Sequence, residues 1–218
     1  GPTAGCLPYI ADSVFFDVNS FFLTGQDVLV NDTAYFGAMH WSGFSGTQSL
    51  SLDSNMWAYG DVVLDPSVSV QRNIISAGIA FYDQADLYPN NAPIDCSFSV
   101  AMPSLSEALQ LQGDLIMSDT SSILVFNGKF SSENNDFRTG SLITINDIAT
   151  GLDARELDFG SSNIHLVAQF SSVGDTNLIF NAGTSDVYIG DTIQYVPDTV
   201  SYNNGLNTEG LTFYDVTL

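Results

Sequence analysis

Between Asp83 and Asp95 the chain gathers five side chains with hard oxygen donors: Asp83, Asp86, Asn90, Asn91 and Asp95. Carboxylate and amide oxygens on a loop are what Ca²⁺ takes, and that ion wants six or more of them. The stretch therefore reads either as a calcium loop one ligand short or as a solvated loop. Zinc is excluded by ligand count, because His40 and His165 have no cysteine spaced near them. The four glutamates, Glu107, Glu133, Glu156 and Glu209, show no spacing that selects a carboxylate pair for glycoside hydrolysis. The histidines have no Gly-x-Ser-x-Gly companion and no cysteine nucleophile beside them. The expectation is a protein that is not an enzyme.

Cys6 and Cys96 are the only thiols. In an oxidising compartment they could tie the N-terminal arm to the body, closing a long loop for about 4 kcal/mol. The alternative is two unrelated buried thiols. The start, Gly1 to Cys6, fits a mature N-terminus, a cloning scar or a chain that has lost its initiator Met. Ala4-Gly5-Cys6 also fits the end of a bacterial lipoprotein signal, with Cys6 lipidated.

Charge narrows the partners. Four Lys and Arg (Arg72, Lys129, Arg138, Arg155) stand against 25 Asp and Glu, for a formal net charge of -21. Four scattered cations cannot neutralise a phosphate track, so nucleic acid is excluded as a partner. An anionic membrane repels such a surface, and no apolar run reaches the roughly 18 residues of a membrane span. Neutral sugars, cations, and copies of the chain itself remain. An apolar fraction of 44%, with 15 Phe and 9 Tyr, is ample for a folded core.

The elements that must position these groups are short and extended. Residues 7–23 carry Phe15-Phe16 and Phe21-Phe22, which put rings on both faces of any strand and demand burial on both sides. This segment is either the first strand or an apolar arm donated to a neighbouring subunit. Residues 24–218 then read as one domain of about a dozen alternating strands separated by Gly, Asn, Asp and Pro turns. Asn127-Gly128 is the strongest hairpin signal. One short helix is expected near 104–112, where Ser104 and Glu107 form a capping box and Leu105, Leu109 and Leu111 face the core. Many short strands and one helix predict an all-β, antiparallel β-sandwich of jelly-roll type.

Apolar strands running into an aspartate recur. Asp17, Asp83, Asp147 and Asp215 are 66, 64 and 68 residues apart, a spacing that would suit three duplicated units. Asp191 falls out of step, and a recurring strand type is the simpler reading.

The stretch from Asn163 to Asp191, with Phe170, Leu178-Ile-Phe180 and Val187-Tyr-Ile-Gly-Asp191, resembles the closing third of jelly-roll carbohydrate-binding modules and galactose-binding-like domains. The terminal Phe213-Tyr-Asp-Val-Thr-Leu218 resembles their last strand. The likeness covers about a quarter of the chain. It implies a sugar-binding face lined by aromatics, often with structural calcium. Trp41, Trp57 and Tyr59 are the residues whose flat faces could stack on a pyranose, unless the two Trp are core anchors. Together these features lead to a non-enzymatic structural or adhesive surface protein, self-associating as a subunit of an extracellular filament or virion. A secreted or virion glycan-binding module is the alternative.

Overall fold

The structure, a computed structural model, describes residues 8–145, 154–172, 177–190, 205–207 and 215–217. Strands do fill it, but every strand pairing among the described residues is parallel. The chain coils upward as a three-faced β-solenoid, and the expected antiparallel jelly-roll sandwich is wrong. The reason lies in a pattern that two folds share. Alternation of apolar and polar residues marks a strand with one face in the core and one in water, which is usual for antiparallel sheets. A solenoid gives its parallel strands the same one-sided burial.

The first turn of the coil holds β1 (Ser13–Phe16), β2 (Asp27–Val30) and β3 (Ala34–Phe36), one per face. The second holds β4 (Ala38–Trp41), β5 (Gln48–Leu52) and β6 (Met56–Ala58). The third holds β7 (Val62–Val63), β8 (Val68–Arg72) and β9 (Gly78–Phe81), and the fourth β10 (Ala85–Tyr88), β11 (Ile94–Asp95) and β12 (Ser97–Ala101). Next come β13 (Ala108–Leu111), β14 (Leu115–Ile116) and the long β15 (Ser122–Ser131), which bends from the third face onto the first of the following turn. Above it lie β16 (Phe137–Thr144), β17 (Arg155–Asp158), β18 (Asn163–Ser171), β19 (Leu178–Asn181) and β20 (Asp186–Ile189), with β21 (Gly205–Asn207) and β22 (Asp215–Thr217) on top.

Up to Ile189 the offset between stacked residues runs from 19, Gly78 under Ser97, to 28, Leu142 under Phe170. This is the repeat that the aspartate spacing does not index. Asp17 follows β1 on the first face and Asp83 follows β9 on the third, so the two are not equivalent. Asp147 and Asp191 lie outside the described residues, as does the closing stretch 211–218 apart from β22. The segment that resembles jelly-roll modules forms β18, β19 and β20, which pair in parallel with strands one turn away.

Inward positions stack into apolar columns. On the third face Phe36, Ala58, Phe81, Val100 and Val125 lie in register, each buried. Met39, Val62, Leu87 and Leu111 do the same on the first face. Each such side chain removed from water contributes about 1.5–3 kcal/mol, and the ladder of backbone hydrogen bonds along the coil satisfies the strands' polar groups.

The expected helix at 104–112 is absent, and no helix occurs among the described residues, hence none long and apolar enough to cross a membrane. Ser104 to Glu107 instead closes a turn, with Glu107 N donating to Ser104 O at 3.2 Å and Ser106 N donating to Ser104 Oγ at 3.0 Å. Beyond it Leu109 and Leu111 point inward at strand spacing, while Gln110 bonds to Gln84 below and Glu133 above. The same serine that would cap a helix caps a turn equally well. Asn127-Gly128 is likewise no hairpin. Gly128, at φ +84°, lies at the bend where β15 passes between faces.

Corners stack too. Asn134, Gly160 and Gly183 sit in three successive turns, each with positive φ. A Cβ at Gly183 would stand 1.9 Å from Gly160 O, whereas one at Gly43, φ +78°, would meet nothing within 4 Å. Gly43→Ala is thus expected to cost about 1 kcal/mol for the left-handed backbone alone. Gly183→Ala should cost about 2–4 kcal/mol, since a neighbouring backbone must also move. Urea unfolding of the two variants checks this, and equal losses would mean that the corners are not close-packed.

Candidate functional site

Outward positions of the third face form columns of their own, and these decide the shape of the surface. In one, Tyr35, Trp57, Ala80, Ser99 and Leu124 lie in register. In the next, Tyr59 stacks under Tyr82 and leads to Ala101, with Phe126 beyond it. In a third, the floor is Gly78 and Ser97, closely apposed: a Cβ at Gly78 would stand 2.3 Å from Ser97 O. Large side chains thus flank two turns that offer only Gly, Ala and Ser. The result is a trough of about 730 Å³ across four turns of the coil. Where Ala101 pairs with Asn127 the register slips by one residue. A bulge of this kind leaves one residue unpaired and bends its strand. Here it leaves Phe126, which lines the trough, unpaired.

Aromatics make one wall. Trp57 lies 4.5 Å from Tyr82 and 6.1 Å from Tyr35 by ring centroids, and Tyr59 lies 5.8 Å from Tyr82. Trp57, Tyr59 and Tyr82 are each half-buried, so ring edges and part of their faces remain open. Burial, with the neighbouring phenols of Tyr35 and Tyr9, raises the Tyr59 pKa above its ordinary value. Its hydroxyl stays a neutral donor and acceptor throughout the physiological range. Ile75, 87% exposed, stands at the mouth.

Two carboxylates, Asp83 and Glu107, also line the trough, and no Lys or Arg does. Asp83 is exposed and accepts from Gln84 N at 2.8 Å. Glu107 Oε2 and Trp57 Nε1 are enclosed with no hydrogen-bond partner among the described residues. Each unpaired buried polar group costs about 1–3 kcal/mol.

Of the three aromatics expected to bind sugar, Trp57 and Tyr59 line the trough and Trp41 does not. Trp41 is 1% exposed and packed between Phe16, at 4.1 Å, and Phe21 and Phe44, both at 5.8 Å. It is a core anchor, because its strand position points inward in β4.

The five oxygen-bearing residues of 83–95 are spread along the fourth turn of the coil. The stretch is not one irregular loop but β10, a tight turn and β11. Asn90 (φ 48°) and Asn91 (φ 60°) are the two central residues of that turn, closed by Ala92 N donating to Pro89 O at 2.9 Å. Asparagine is there because it tolerates positive φ, and Asn90 Nδ2 also donates to Leu64 O at 2.8 Å. Asp86 accepts from Gln112 Nε2 at 3.0 Å and Asp95 from the Ser118 hydroxyl. Among the described residues no group of three or more His, Cys, Asp or Glu could hold a metal ion.

Cys96 is a free, fully buried thiol. Desolvation pushes its pKa up to about 12, against the pull of Arg72 and with the push of Asp95, so it remains protonated and unreactive. Cys6 lies outside the described residues.

Sequence reasoning missed Tyr82, Ala80, Ser99, Phe126 and the place of Glu107. A signal was present: Tyr35 and Trp57 are 22 residues apart, Tyr59 and Tyr82 are 23, as are Trp57 and Ala80, all within the period of the coil.

Trp41→Ala is expected to lower the unfolding free energy by about 3–5 kcal/mol through the cavity it leaves, whereas Trp57→Ala should cost well under half of that. Chemical denaturation followed by circular dichroism measures both, and equal losses would place Trp57 in the core. Compared with protein-family models, with curated proteins and with solved structures, the chain matches none, so the chemistry of the trough is argued from its own residues.

Proposed function

We propose that this chain is a non-enzymatic, adhesive surface protein that holds a neutral glycan in the trough of its third face. The observation that supports the reading is the wall of Trp57, Tyr59 and Tyr82 over a floor of Gly78, Ala80, Ser97 and Ser99. Aromatic faces match the apolar C–H face of a sugar ring, and serine and tyrosine hydroxyls, amides and carboxylates answer its hydroxyls. A deficit of cations removes phosphate and sulfate polymers as alternatives. An extracellular location, on a cell or virion, is where such a ligand is met. On a neutral-glycan array the chain should bind, and Trp57→Ala and Tyr82→Ala should each weaken binding tenfold or more at unchanged fold. A blank array retires the reading, and turnover of the bound glycan would replace adhesion by hydrolysis.

A second reading, self-assembly into a filament or virion shell, is favoured by the first turn of the coil. Among the described residues β1, β2 and β3 are paired on one side only. Close to them Phe15 is 66% exposed, Phe22 94% and Leu23 72%. Unpaired strand edges beside apolar surface are templates for another chain. The double change Phe22→Asp, Leu23→Asp should shift sedimentation at micromolar concentration from oligomer to monomer, and an unchanged profile removes the idea.

A further inference from the structure

The central column of the trough is stopped at both ends, and this restricts what can lie along it. Along the central column the floor residues Ala80 and Ser99 are bounded by Trp57 on one side and Leu124 on the other. Three strand spacings separate the two stops, about 14 Å. A polymer lying flat on a solenoid face would need the same small residues to continue from turn to turn. Here they do not. Tyr35 follows Trp57 outward, and Ile143 follows Leu124.

Charge sets the second limit. The walls contribute Asp83 and Glu107 and no cation, on a chain whose formal net charge is -21. A uronate or sialate carboxylate placed there meets like charge in a partly desolvated recess, which costs more than the same repulsion in open water. Hydroxyls meet the opposite situation, because Ser97, Ser99, Asn127, Tyr59 and Tyr82 along the lining can donate to them or accept from them.

We infer that the trough is an end-stopped subsite for a short, uncharged oligosaccharide, and that it rejects long chains lying flat and acidic sugars. This rests on the glycan reading above and specifies its ligand. Calorimetry on the whole chain, with cello-, malto- and N-acetylchito-oligosaccharides from mono- to hexasaccharide, tests it. In at least one series affinity should rise tenfold or more up to the tri- or tetrasaccharide and then change less than twofold. Oligogalacturonates of equal length should bind at least tenfold more weakly. Ala80→Trp, which fills the floor, should abolish binding while leaving the thermal midpoint unchanged. Affinity that keeps climbing to the hexasaccharide, or equal binding of galacturonates, overturns the inference and leaves the glycan reading standing. No binding in any of the three series also overturns it, while the array decides the broader reading separately.

Discussion

Everything in this molecule depends on one turn of the coil resting on the next. A single turn is three short strands with one apolar face each, and it cannot bury that face or satisfy its backbone alone. Stacking does both: Phe36, Ala58, Phe81, Val100 and Val125 come into register along the axis, and each strand's amides find carbonyls in the turn beside it. The fold is a one-dimensional sum of such contacts, which is why turns of 19 to 28 residues coexist. Most extra residues leave at the corners, and two slip the register within strands, between Val100 and Ala101 and between Thr139 and Ser141.

The same rule governs the outside. Because outward residues stack as strictly as inward ones, a small residue repeated at the coil period makes a depression and a large one makes a wall. Trp57 over Ala80, Ser99 and then Leu124 is such a sequence of sizes. The trough is a by-product of register. Corner residues obey close contact as well, with Gly183 lying against Gly160. Polar side chains run the same way, as in the ladder from Gln84 through Gln110 to Glu133. Lys129, held by Asp158 at 2.8 Å and Glu156 at 3.0 Å, joins two more turns.

Much of the local structure was legible in the letters. The strands at Gln48–Leu52, Gly78–Phe81 and Ser97–Ala101 announce themselves by alternation, and the turn at Pro89-Asn-Asn-Ala92 by its residues. Half of the trough was legible too, because Trp57 and Tyr59 stand out as an aromatic cluster. Three signals pointed the wrong way for definite reasons. Ser104 and Glu107 suit a helix start and a turn alike. Asn127-Gly128 suits any tight bend. Trp41, the last residue of its strand, gave no hint of which face it occupied.

The amino-acid sequence by itself determined an all-β chain with a strong apolar core and a large excess of acidic over basic residues, since those follow from composition and short-range periodicity. Only the tertiary structure decided that the strands run parallel, that Trp41 is buried while Trp57 is half-open, and that Tyr82 and Glu107 join Trp57 and Tyr59, 23 to 50 positions away. The physical reason is that alternation records which face of a strand is wet, not which strand lies beside it. Neighbour identity is set by the length of each turn of the coil, and that length varies too much here to be read without the stack itself.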